Sequence, residues 1–371
     1  MNSPVSIFSA ATMNLVVILA LCLGVMAAGA PSCLDENGRP VDSWVVLKAA
    51  ESFDYYFMSG STWRKSANSL DGTGGMVMRT AAQAYGGGVM MGMYNDEMQG
   101  MSVSGTRAHA KGVLVSDAKQ GFWIVHSMPK WPKPALTSRT SGPGPFDSDK
   151  YAQSMMCITV SASTADTIAS NLMIEDVFLT GKSTLKTSTS SFPNFSKWLA
   201  GGVDKSRSQV AAQIKSLGGK VFFQLAKSAS WGHDIWDDLV APYFKTPLQV
   251  ETWRNGVGGR ISSVCSSPAG PKKQPYNVME VATVTMPDGT SWDGTSDHSK
   301  WAVSLKSGAG NVYCVGGMNR MCSQEKRGGA ALCVKGDAQG WKAFSSIVTA
   351  TETCWEYNPC KGRGLNSCYW C

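Results

Sequence analysis

The stretch RAHAKGVLVSDAKQGFWIVHS, residues 107–127, holds two of the chain's four histidines, His109 and His126. Its β-branched and aromatic runs, bounded by Asp, Ser and Gly, predict a strand, a turn at DAKQG and a second strand. His109 stands two places before Lys111, and the same spacing returns far downstream as His298-Ser299-Lys300, again ahead of a strand, a turn (SGAG) and a strand. Gly121 and Gly310 each fall twelve residues after their histidine. Two hairpins opened by the same His-x-Lys pair form a two-copy internal repeat, which predicts two similar halves joined near residues 181–196.

Outward from these hairpins, further strand-like runs include SWVVLKA, GVMMGMYN, MCITVSA, KVFFQLAKS and NVMEVATVTM. Helical periodicity marks TADTIASNLM, KSRSQVAAQIKSLGG, DIWDDLVAPYFK and AQGWKAFSSIV, with Gly219 closing the second of these. Interspersed strands and helices place the chain in the α/β class, mixed α+β. The organisation read from the sequence is residues 1–30 as a signal peptide, 31–190 as an N-terminal half, 191–353 as a C-terminal half and 354–371 as a cysteine-rich tail.

The first 30 residues carry no charged side chain, and NLVVILALCLGVMAAGA is an apolar run ending in small residues, as a secretory signal does. Its removal takes Cys22 and leaves ten of the eleven cysteines, an even number in an oxidising compartment, where disulfides are the default. The sequon Asn194-Phe195-Ser196 lies in a Ser/Thr-rich stretch and predicts a glycan on an exposed linker. Net charge is +7 with histidines neutral. Acid therefore strengthens attraction to a polyanion, although no Lys/Arg run of five or more is present.

Because side chains alternate along a strand, His-x-Lys points one imidazole and one ammonium to the same spot. If the halves face each other, that spot receives two of each, an inventory suited to a phosphate. One imidazole can attack phosphorus while the other, protonated, donates to the leaving oxygen, and the lysines neutralise transition-state charge. The nearby lysines should depress both histidine pKa values. His126, at the far end of the first hairpin, is placed to return to the same mouth as a phosphate ligand or supporting group, or to serve as a buried structural histidine. His233 reads as a surface residue.

Metal and nucleotide motifs fail. TGKST lacks the P-loop's earlier glycine, since Asp176 stands there, and no HExxH occurs. Asp96 and Glu97 have no clustered partners in the sequence, and Cys368 and Cys371 are read as disulfide cysteines before zinc ligands. No cofactor and no metal are expected.

With these residues in hand, the chain resembles the deoxyribonuclease II family, whose fold is similar to the phospholipase D superfamily. The matching words are NGRPVDSWVVLK, MYNDE, HAKGVLVSD, GFWIVHSMPKWP, LAKS, VETWR, DHSKWAVS and QEKRGGAALC, spread over nearly all of the mature chain. The resemblance implies a pseudo-dimer of two halves, each a mixed β-sheet flanked by helices. It also implies a secreted or lysosomal endonuclease that cuts double-stranded DNA with little sequence preference, in acid and without metal, leaving 3′-phosphate ends through a phosphohistidine. His109, Lys111, His298 and Lys300 match its catalytic pairs, and His126 and Asn319 match further positions. Disulfides carry over as Cys33 with Cys157, Cys265 with Cys354, and Cys314 with Cys333, leaving Cys322, Cys360, Cys368 and Cys371 unassigned. Ala108 and Ala110 replace the family's usual glycine and hydroxyl residue. A nucleic-acid-binding or toxin-like protein without turnover, and a lipid phosphodiesterase, are the alternative readings. No membrane association is expected after signal removal, and oligomeric state is open, as is the identity of the attacking histidine.

Overall fold

A computed structural model describes residues 29–98, 105–133, 142–185, 191–256, 258–264, 275–305 and 310–353. The signal reading, Cys265, Cys354 and the tail lie outside them. The strands are β1 (Cys33–Leu34), β2 (Pro40–Val41), β3 (Ser43–Lys48), β4 (Asp54–Ser59), β5 (Thr62–Ser69), β6 (Met90–Asn95), β7 (Lys111–Ser116), β8 (Gln120–His126), β9 (Gln153–Ser161) and β10 (Leu179–Ser183). They continue as β11 (Gln209–Lys215), β12 (Val221–Lys227), β13 (Leu248–Glu251), β14 (Val278–Thr285), β15 (Ser291–Asp293), β16 (Trp301–Ser304), β17 (Tyr313–Gly316), β18 (Gly329–Val334) and β19 (Val348–Thr351). The helices are α1 (Gly75–Ala82), α2 (Ala162–Glu175), α3 (Pro193–Leu199), α4 (Ala241–Phe244), α5 (Cys322–Glu325) and α6 (Ala338–Ser346).

Two large sheets form. One runs β10-β6-β7-β8-β9-β3-β4-β5, and the other runs β11-β12-β18-β17-β16-β13-β14-β15 with β19 beside β14. Within them, β6-β7-β8-β9-β3 and β13-β16-β17-β18-β12 have the same spatial order, the same chain order and antiparallel pairing throughout. Each His-x-Lys opens the second strand of its five, so the internal repeat seen in the sequence is a repeat of topology. The fold is a mixed α+β pseudo-dimer.

Helix placement repeats as well. After β9, Ser161 caps α2 by accepting the Thr164 N–H at 3.2 Å, and after β18, Asp337 caps α6 by accepting the Gly340 N–H at 3.0 Å. Helix α2 packs on β7–β9 of its own sheet and on β11 and β12 of the other, while α6 packs on β16 and β17 and on β5 of the first sheet. One hydrophobic core is therefore common to both sheets, including Leu114, Trp123, Ile158 and Ile168 with Phe222, Trp301, Leu332 and Phe344. The central strands β7 and β18 are buried on both faces, which explains their unbroken apolar runs.

One helix expectation is corrected. KSRSQVAAQIKSLGG forms the edge strand β11, paired along seven residues with β12. Gly219, at φ +90°, turns the β11–β12 hairpin instead of ending a helix. An amphipathic stretch this short satisfies either period, and the open edge of β12 decides for the strand. The sequon is also placed differently. Asn194 lies in α3, half-buried, with its amide donating to Asp166 at 2.8 Å.

Disulfides join Cys33 to Cys157 and Cys314 to Cys333, and Cys322 is disulfide-bonded too. Glycines stand at two close approaches between the halves. A Cβ on Gly328 would lie 1.9 Å from the Glu175 carbonyl oxygen at the end of α2, and one on Gly317 would lie 2.6 Å from the His109 carbonyl oxygen. Gly328→Ala should lower stability by more than about 2 kcal/mol, because backbone must move on both sides of the contact. Thermal unfolding measures this, and an unchanged midpoint would show that the approach is not tight.

Candidate functional site

Each His-x-Lys pair is held by the opposite half. The His109 N–H donates to Gly328 O at 2.9 Å, and its Nδ1 donates to Gly317 O. On the other side, the His298 N–H donates to Ala152 O at 2.9 Å, its Nδ1 lies 3.3 Å from Gln153 Oε1, and the Lys300 N–H donates to Ser154 Oγ at 3.0 Å. Gly316, next to the residue that holds His109, donates its N–H to Lys300 O at 2.8 Å, so the strand that grips His109 is paired with the start of the second His-x-Lys strand. The four residues form one buried centre, with His109 and His298 at 5% and 8% exposure.

The centre is electrically lopsided. Lys111 Nζ lies 2.8 Å from Asp96 Oδ1 and 2.9 Å from Glu97 Oε1. Arg327, from the second half, donates to Asp96 Oδ2 at 2.8 Å and to the carbonyls of Arg107 and Ala108 at 2.9 and 3.2 Å. Among the described residues no carboxylate forms an ion pair with Lys300, although Glu97, Asp297 and Asp96 act on it from farther away. The Lys300 Nζ lies 3.1 Å from His298 Nδ1 and also donates to His298 O. Burial would lower the Lys111 pKa, but Asp96 and Glu97 outweigh it and hold it above the ordinary value, whereas burial and then Lys111 push Lys300 well below.

Both histidines resist protonation. Burial first, then Lys111, lowers His109 to about 3, and burial first, then Lys300, drives His298 well below its ordinary value. The lysines act in the direction the sequence suggested, but desolvation is the larger cause.

Of the other sequence candidates, His126 stands beside Lys111. It is opposite Lys111 in the β7–β8 register, fully buried, with Nδ1 accepting the Met128 N–H at 3.2 Å and its ring 5.0 Å from that of Trp131. Asn319 Oδ1 accepts the Trp253 N–H at 3.2 Å, and so fixes the chain after β13. His233 is 54% exposed beside Asp238 and apart from the site. Ala108 and Ala110 are buried where the halves touch, so small side chains fit the departures from the family pattern.

Sequence reasoning missed Asp96, Glu97, Gln153 and Arg327 as parts of this centre. The word MYNDE carried a signal, but nothing in the sequence placed it beside Lys111. Asp96, Glu97 and His109 do bring one donor atom each within 4.8 Å of one another. Lys111 and Arg327 already neutralise the two carboxylates, so the trio offers a cation little net charge.

The sequence has known relatives. A sequence model of the family Deoxyribonuclease II matches residues 32–354. The chain belongs to the deoxyribonuclease II family. It is 32% identical over 381 residues to Plancitoxin-1 of Acanthaster planci, covering 96% of this chain and 99% of that protein. It is 30% identical to Deoxyribonuclease-2-alpha of Rattus norvegicus, covering 91% and 98%, and 28% identical to Cell death-related nuclease 6 of Caenorhabditis elegans, covering 91% and 93%. Membership in the deoxyribonuclease II family makes the chain a nuclease-type hydrolase with the phospholipase D-like fold, and its two five-strand units are the halves of that fold.

His126 gives this deoxyribonuclease II fold an acid liability. Burial first, then Lys111, lowers its pKa to about 3. Below about pH 6.5 the unfolded chain takes up a proton there that the folded chain refuses, so stability falls as pH drops from 6.5 towards 3. Relative to His126→Gln, the wild type should lose about 2 kcal/mol between pH 6.5 and 5. Denaturant titrations at both pH values measure the difference, and parallel curves would refute the neutral assignment.

Proposed function

We propose that this protein is an acid, metal-independent DNA endonuclease working through a phosphohistidine. The observation that carries the reading is the reciprocal clasp that brings both His-x-Lys pairs into one centre. A carbonyl oxygen only accepts hydrogen bonds, so Nδ1 of His109 bears the proton and its Nε2 keeps a lone pair. That makes His109 the nucleophile. His298 Nδ1 faces both an ammonium and an amide oxygen, so its ring can carry a proton on either nitrogen, as a group that gives and then takes a proton must.

In the first step Nε2 of His109 bonds to phosphorus, the bond to the 5′ oxygen breaks, and protonated His298 donates to that oxygen. In the second, His298 removes a proton from water, the water oxygen bonds to phosphorus, and the bond to His109 breaks, releasing a 3′-phosphate. Lys111 and Lys300 neutralise the equatorial oxygens. An arriving phosphate raises both histidine pKa values, which makes protonation of His298 accessible in mild acid.

DNA is favoured as substrate by the family, by the net charge of +7 and by aromatic surface at the site. Tyr151 and Trp253, one from each half, lie 4.5 Å apart, and Trp253 is 5.3 Å from His298. Stacking surface of this kind suits bases and not lipid tails. Affinity should fall with salt and depend little on sequence. The apolar N-terminus supports passage through the secretory pathway to a lysosomal or external site. No helix among the described residues is long and apolar enough to cross a membrane.

His109→Ala and His298→Ala should each reduce plasmid nicking at pH 5 in EDTA by at least about 1,000-fold. His298→Ala protein denatured in alkali, which preserves the P–N bond, should carry a DNA strand joined through its 3′-phosphate to His109. Full activity in either variant, or DNA binding without nicking by the wild type, would defeat the reading.

A further inference from the structure

The proposed phosphate position already holds an anion belonging to the protein. Glu97 Oε1 lies 2.9 Å from Lys111 Nζ and 3.9 Å from His109 Nε2, the atom assigned to attack. An equatorial phosphate oxygen would need that same place, against the ammonium and beside the ring nitrogen. Asp96 differs from its neighbour: its side chain is wholly buried and fixed by Lys111 and Arg327, while that of Glu97 is 21% exposed. The backbone of Glu97 is clamped, its N–H donating to Asn95 Oδ1 at 2.9 Å and its carbonyl accepting the Lys130 N–H at 2.8 Å. The carboxylate can yield its place only by turning its side chain or losing its charge.

We propose that Glu97 is a positioning residue that fills the phosphate subsite as an internal anion and admits the scissile phosphodiester on taking up one proton. This rests on the reading that a phosphodiester binds at the His-x-Lys centre. The charged and titratable groups around Glu97 are Lys111, His109 and Asp96 directly, Arg327 through Asp96, and Lys300 and His298 from the second half. Burial alone would raise the Glu97 pKa, but Lys111 and His109 hold it below the ordinary value while the subsite is empty of substrate. A phosphodiester that takes over Lys111 removes that support and adds a negative neighbour, and two anions this close do not both stay ionised. The Glu97 pKa must then rise. Between the free and bound values, each unit of falling pH strengthens anion binding about tenfold.

Inorganic sulfate, whose charge is constant from pH 4 to 8, serves as the probe. Its competitive inhibition constant against plasmid nicking should tighten at least about tenfold per unit as pH falls in the wild type. In Glu97→Gln the slope should be shallower by about tenfold per pH unit, leaving only what histidine protonation supplies, and the alkaline limb of kcat/KM should move up by at least one pH unit. A wild-type slope in Glu97→Gln overturns the proposal. Should Glu97→Gln fail to fold, Glu97→Ser, which leaves room for water at Lys111, is read in the same way. If His109→Ala is inactive while Glu97→Gln keeps the wild-type slope, the Glu97 role alone falls. If His109→Ala still cleaves, the underlying site assignment falls instead.

Discussion

The structure depends on a mutual grip between its halves. Gly317 and Gly328 of the second half hold the ring and backbone of His109, while Ala152, Gln153 and Ser154 of the first half hold His298 and Lys300. The backbone N–H of each histidine donates to a carbonyl of the opposite half. This constraint explains why a large common hydrophobic core lies behind the site: buried imidazoles and ammoniums carry a desolvation cost, and only a rigid apolar support keeps them paired in a fixed geometry.

Symmetry of fold is accompanied by asymmetry of charge. The first pair has two carboxylates in ion-pair contact with Lys111, which hold it above its ordinary pKa, whereas Glu97, Asp297 and Asp96 act on Lys300 only from a distance and are outweighed by burial and Lys111, which push it well below. The different hydrogen-bond settings of the two rings give the histidines different tasks on one repeated scaffold. A two-step phosphoryl transfer needs such a division, since one ring must be unprotonated when the other carries the proton.

Much of this was legible in the residues. The hairpins opened by His109 and His298 stood out because period-two alternation and bounding Gly, Asp and Ser are local properties of a strand. Helices α2 and α6 were equally plain from their periodicity. Strand β11 was misread because its ladder with β12 is a neighbour's contribution and leaves no mark on its own pattern. Strand β5, rich in polar and exposed residues, also lacks a clear alternating signature.

The sequence by itself determined which residues could carry chemistry, two His-x-Lys pairs among only four histidines, and that they recur in matching hairpins. Only the tertiary structure decided what surrounds them. Asp96 and Glu97 precede Lys111 by fifteen and fourteen positions, and Arg327 follows it by more than two hundred; strand pairing brings both carboxylates to the Lys111 ammonium, and the approach of the halves brings Arg327 to Asp96. Side-chain type is local information, whereas the electrostatic setting that tunes a buried group comes from whatever the fold packs against it.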